Sequence, residues 1–160
     1  SFADMDALTE ILLYSASRTQ HVKEVIRPAL DQNLWVLTDR YVDATLAYQG
    51  YGRGLDLKQL RSLHEWSTES LWPDLTFLFD CSIETALDRR EKRNRIPDRL
   101  ELQQRKFHEN VRKGYLSLAT AEPNRFLLLD SGRPLEEVTE RLHSLFQDWL
   151  RRTKGEQQCL

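Results

Sequence analysis

At 160 residues, with 40% hydrophobic and 30% charged side chains, the chain has the composition of one globular domain long enough to bury a core. A net charge of −2 gives no footprint for nucleic acid or an anionic membrane surface, and no apolar run approaches the roughly 20 residues of a spanning helix. Two cysteines, Cys81 and Cys159, lie far apart without a Cys or His cluster. This predicts a buried structural thiol and a loose tail thiol in a reducing cytoplasm, with neither disulfide nor metal site.

The first element is a helix over 4–31, with Leu8, Ile11, Leu12, Val22, Val25, Ile26 and Ala29 at helical spacing and Asn33 just past its end. No basic leader or signal-peptide core precedes it. A helical pattern starting almost at Ser1, which is not Met, reads as a fragment whose beginning lies upstream. Leu34-Trp35-Val36-Leu37-Thr38 is a short apolar run, the signature of a strand buried on both faces, closed by Asp39-Arg40. Gly50, Gly52 and Gly54 mark a flexible loop. A helix follows over 56–71, stopped by Pro73.

The run 75–79 is a second buried strand, closed by Asp80. Ser82 caps the next helix, with Thr85 standing where a capping box has Glu. That helix turns basic at Arg89, Arg90, Lys92, Arg93 and Arg95 and breaks at Pro97. Phe107, Val111, Tyr115 and Leu118 define another helix, with Leu100 near its start, and Phe107 and Tyr115 read as core. The run 126–129 is a third strand, closed by Asp130. A last helix carries Leu135, Val138, Leu142, Leu145, Phe146 and Trp149, and a tail follows Arg152.

This order predicts an α/β fold, a doubly wound parallel sheet with helices on both faces, forming a single domain over 1–152 and a tail over 153–160. Three visible strands make a poorly protected parallel sheet, which implies that its first strands are missing from the chain. In such sheets ligands bind beyond the carboxyl ends of the strands. Asp39-Arg40 is the informative end, because an acid there can hold a metal-bound water and the adjacent Arg can grip a phosphate bidentately. A surface ion pair is the alternative reading of that dipeptide. In the first helix Arg18 falls inside the apolar stripe with Tyr14 one turn earlier, and a cation there needs a polar recipient. His21, His64, His108 and His143 show no partner spacing and receive no role.

The segment Asp39-Arg40-Tyr41 followed by Ala47-Tyr48-Gln49-Gly50-Tyr51-Gly52-Arg53-Gly54 closely resembles the thymidylate kinase signature. Leu12-Leu13-Tyr14-Ser15-Ala16-Ser17-Arg18, Pro73-Asp74-Leu75-Thr76, Asp98-Arg99-Leu100-Glu101 and Val111-Arg112-Lys113-Gly114-Tyr115-Leu116 extend the resemblance over essentially the whole chain. Absent are the family's first two strands and its Gly-rich phosphate loop, since no G-x-x-x-x-G-K-[ST] occurs. The resemblance therefore implies a P-loop NTPase-like fold without its N-terminal segment.

It also implies phosphoryl transfer from ATP to dTMP with Mg²⁺, and a cytoplasmic homodimer that packs through its first helix. Tyr14 would stack on thymine, Arg18 and Thr45 would reach the base edge, and Tyr48 would press on the sugar and disfavour a 2′-hydroxyl. Arg40 would hold the dTMP phosphate, Asp39 would act near the metal through water, and Gln49 would help shape the loop. Ala44 stands where the family often has Ser, which removes one polar contact. The basic run resembles a lid over about 88–99, with Arg93 and Arg95 as candidate catalytic contacts. A solvated charged face is the alternative for each. The competing functional readings are another deoxynucleotide or deoxynucleoside kinase, or a silent nucleotide-binding fragment.

Overall fold

A computed structural model describes residues 5–92, 100 and 103–157. The expected helix begins at α1 (Ala7–His21), where the Asp6 carboxylate accepts the Leu8 and Thr9 amides at 2.9 and 3.2 Å. The rod continues through a π turn, Val22–Ile26, into α2 (Arg27–Asp31). Pro28 lies just beyond that turn. A proline within a helix lacks an N–H and crowds the carbonyl four residues back, and the wider turn ahead of it relieves both.

Next come α3 (Val42–Thr45), a second π turn over Leu46–Gly52, and α4 (Leu57–Thr68). The Asp56 carboxylate caps α4 by accepting the Gln59 amide at 2.9 Å. The helix ends at Thr68, before the expected Pro73, because Glu69 and Ser70 both turn left-handed. Arg27 stabilises that end by donating to the carbonyls of Thr68 and Glu69 at 2.9 and 3.1 Å.

Two strands, β1 (Thr76–Asp80) and β2 (Phe126–Asp130), pair in parallel with Asp80 opposite Asp130. Between them run α5 (Ile83–Glu91), capped by Ser82 as expected, and α6 (Arg105–Ala121). The chain closes on α7 (Leu135–Gln157), which runs through most of the expected tail. Leu100 lies outside α6, and Cys81 is half-buried rather than enclosed.

The expected strand over 34–38 does not form. The segment has no ladder partner among the described residues, and Trp35 and Leu37 are 75% and 91% exposed. An apolar run becomes a strand only when a neighbour accepts its backbone hydrogen bonds. Trp35 meets Phe146 of α7 edge-on at 6.0 Å, and Phe146 also meets Phe77 of β1 at 5.9 Å.

The core joins α1, α3, α4, β1, α6 and β2 through Ile11, Val42, Leu46, Leu60, Leu78, Leu118 and Phe126. Each such side chain contributes about 1.5–3 kcal/mol on burial. The glycine-rich segment is likewise no open loop. It is wound into the second π turn and pressed onto α6, where a Cβ on Gly52 would stand 2.7 Å from Phe107 and 2.9 Å from Val111. Gly114 of α6 returns the fit, since a Cβ there would stand 2.7 Å from the Tyr51 ring. The glycines serve close approach, not freedom. Gly114→Ala should therefore destabilise the fold by about 1–3 kcal/mol, read as a lower urea midpoint.

Candidate functional site

Helix α1 carries Tyr14 and Arg18 one turn apart, and Arg18 reaches the segment that runs from Asp39 through the second π turn. Arg18 finds the polar recipient its place in the stripe demands. Its Nη2 donates to the buried Thr45 hydroxyl at 2.6 Å, and its guanidinium lies 5.4 Å over the Tyr41 ring. Burial lowers the Arg18 pKa, and the Tyr41 phenol acts in the opposite direction. The Tyr14 ring is 44% exposed, with no aromatic neighbour among the described residues.

The Asp39-Arg40-Tyr41 triplet splits three ways. Asp39 stays exposed. Arg40 adopts φ 64°, a left-handed conformation that costs an L-residue about 1–2 kcal/mol, and the Thr38 hydroxyl donates to its carbonyl at 3.3 Å. The Arg40 guanidinium then lies 5.1 Å over the Tyr48 ring. Tyr41 turns inward against His64, centroids 5.4 Å apart.

Tyr48 sits edge-on between Phe107 and Tyr115 of α6 at 6.0 and 6.2 Å. Burial raises the Tyr115 phenol well above its ordinary range, which keeps that hydroxyl neutral. Arg18, Thr45, Arg40 and Tyr48 are thus brought to one neighbourhood, and Tyr14 shares the helix that delivers Arg18. Gln49 behaves differently. It is buried, and its amide donates to Glu10 at 2.7 Å. Arg93 and Arg95 lie outside the described residues.

Several residues that organise this site carry no local sequence signal. Asp43, buried beside Thr45, receives both Nη groups of Arg125 at 2.8 Å and the Thr76 hydroxyl at 2.8 Å. Burial lowers the Arg125 pKa, but the bonds to Asp43 and Glu122 outweigh it and hold the pKa above its ordinary value. Arg61 and Arg125 both lie against Trp72, at 5.4 and 5.9 Å. His64 sits between Tyr41 and Trp72, hydrogen-bonded through Nε2 to the Leu71 carbonyl at 3.0 Å. Burial, with the nearby Arg18 charge, depresses its pKa to about 4. Beyond β1 and β2, Arg112 pairs with Asp80 through two bonds of 2.7 Å, and Arg133 pairs with Asp130 at 3.3 Å.

A family model described as Thymidylate kinase matches residues 3–142. The chain belongs to the thymidylate kinase family. Among curated relatives, a thymidylate kinase of Desulfovibrio desulfuricans is 47% identical, over 89% of this chain and 69% of its own. One of Pelobacter propionicus is 45% identical, over 88% and 66%. The chain thus spans about two thirds of the length of these thymidylate kinases. Among the described residues no helix is long and apolar enough to cross a membrane.

Two outcomes follow for the scaffold beneath the site. Asp43→Ala leaves the largely buried Arg125 guanidinium with Glu122 but without its bidentate partner, and should cost toward the low end of about 3–5 kcal/mol in urea unfolding. For His64, the folded pKa of about 4 lies below the unfolded value near 6.5. Unfolded chains therefore take up a proton that folded chains refuse, and stability falls as pH drops from 6.5 toward 4. His64→Gln should make that fall shallower, as seen in urea midpoints measured across the window.

Proposed function

We propose that this chain supplies the acceptor side of an enzyme that transfers a phosphoryl group from ATP to dTMP. The observation that carries the reading is the 2.6 Å bond from Arg18 to Thr45, which fixes a cationic donor beside a buried hydroxyl where a thymine edge can meet both. Tyr14 provides the stacking face, and such aromatic–base contacts contribute about 1–3 kcal/mol. Tyr48 closes on the sugar where a 2′-hydroxyl would stand. Arg40, whose guanidinium lies 5.1 Å over the Tyr48 ring, would hold the dTMP phosphate.

The chemistry is positioning and charge neutralisation, with little covalent work for the protein. A magnesium ion is commonly held by one or two carboxylates, water and substrate phosphates, and the exposed Asp39 offers one such carboxylate. Asp39 would hold it through water, and the ion would neutralise charge between the phosphates of ATP. Arg93 and Arg95 are the candidates for charge stabilisation on the transferring group. Two copies would associate through α1, where Leu8, Leu12 and Leu13 are each at least half exposed.

The donor side needs a phosphate-cradling loop and a fuller sheet. These 160 residues contain no Gly-rich loop ending in Gly-Lys-Ser or Gly-Lys-Thr. β1 keeps one edge unpaired among the described residues, where a further parallel strand would fit. The same facts favour a second reading, a module that binds dTMP without turning it over. Isothermal titration separates these from failure: the chain should bind dTMP, and Arg18→Ala should weaken binding roughly ten- to a hundredfold, the loss expected for a charged donor. Unchanged affinity in Arg18→Ala would sink the thymine assignment. In a coupled assay with ATP and magnesium, the 160-residue chain should form no dTDP, and robust turnover would refute this placing of the donor side.

A further inference from the structure

Glu10 is the most deeply buried acid outside the residues already given a role, at 1% exposure. It lies on α1 one turn before Tyr14 and two turns before Arg18, on the same side of the helix. One carboxylate oxygen accepts the Gln49 amide at 2.7 Å, and the other meets Arg53 Nη2 at 3.4 Å. Gln49 and Arg53 bracket the end of the π turn, whose backbone closes through the Arg53 amide on the Tyr48 carbonyl at 2.9 Å. Arg53 also stacks over Phe107 at 4.9 Å and donates to Gln103, just before α6, at 3.1 Å.

We infer that Glu10 is a positioning residue for the acceptor site: it locks the turn carrying Tyr48 to the helix carrying Tyr14 and Arg18. The inference rests on the dTMP reading for its functional meaning. A buried carboxylate is strongly disfavoured unless it is paired and hydrogen-bonded, so its partners are held as firmly as it is. Gln49 and Arg53 come from one short turn and converge on that single anion. This fixes both the distance between turn and helix and the rotation of the turn. Tyr48 immediately precedes Gln49 and its carbonyl accepts the Arg53 amide, so the backbone that aims its ring is set by a group that touches no substrate. Arg53 carries the same constraint onward to the entrance of α6.

The test compares dTMP with its ribose counterpart, 5-methyluridine monophosphate, by titration against the wild-type chain, Glu10→Gln, Glu10→Ala and Arg53→Lys. Loss of fold lowers both affinities together, whereas misplacement of Tyr48 erodes their ratio. Glu10→Gln keeps an acceptor for Gln49 but not the ion pair, so it should lose part of the preference for dTMP. Glu10→Ala should lose more and bind dTMP about tenfold or more weakly. Arg53→Lys keeps the cation without the fork, so it should shift the ratio in the same direction and decides the matter if Glu10→Ala does not fold. A ratio unchanged in folded Glu10→Gln and Arg53→Lys overturns the inference and leaves the dTMP reading intact. A wild-type chain that binds neither nucleotide overturns the dTMP reading. Amide hydrogen exchange then judges Glu10 alone: protection of 46–54 should fall in Glu10→Gln relative to α4, and equal protection counts against it.

Discussion

Asp43 sits where α3 meets the sheet, and its two oxygens are taken by Arg125 and Thr76. Those partners lie at the starts of β2 and β1, far along the chain. One carboxylate therefore pins the helix that presents Thr45 to both strands at once. The contact is held on all sides. Arg125 also bonds Glu122 at 2.7 Å, Glu122 bonds Arg61 at 3.2 Å, and both arginines rest on Trp72. Asp43 and Arg125 are the buried members of this arrangement, so a change at either is more costly than one at the half-exposed Glu122 or Arg61. The return is a fixed floor. Thr45 and Tyr41, each two residues from the clamped Asp43, can face Arg18 without drifting.

Upon that floor the site is built by contrast between its neighbours. Arg40 is left in a strained backbone conformation with its side chain on an aromatic face, while Tyr41 is sunk beside His64. A guanidinium lying over an aromatic ring, as at Arg40, is oriented by that face. Arg112 and Arg125 are instead set in bidentate ion pairs that tie elements of the fold together.

Much of this was legible in the residues and some was not. Helical spacing located α1, α4, α6 and α7, and Ser82 was readable as a cap, because these are local regularities. The Asp-Arg-Tyr and Ala-Tyr-Gln-Gly run pointed to the family and to the residues that gather near Arg18. The segment 34–38 looked like a strand, but pairing is supplied by a neighbour and cannot be read from an apolar run. Gly52 read as looseness, although its bareness serves tight packing against Phe107 and Val111, side chains distant in sequence. Glu10, Asp43 and Arg125 each look like solvated charges in their own context. The bonds that join Glu10 to Gln49 and Asp43 to Arg125 span tens of residues, so no window along the chain could have joined them.

The π turn at Val22–Ile26 has a consequence for how this chain tolerates changes in length. It accommodates one residue more than a regular helix would over the same rise. Deleting one residue there would restore a plain helix and leave everything beyond it in phase, so Arg27 would still reach the carbonyls of Thr68 and Glu69. The same deletion in the regular part of α1 would instead turn the far half by about 100° and pull that clasp away. The first helix thus has one place where its length can change without misdirecting its far half.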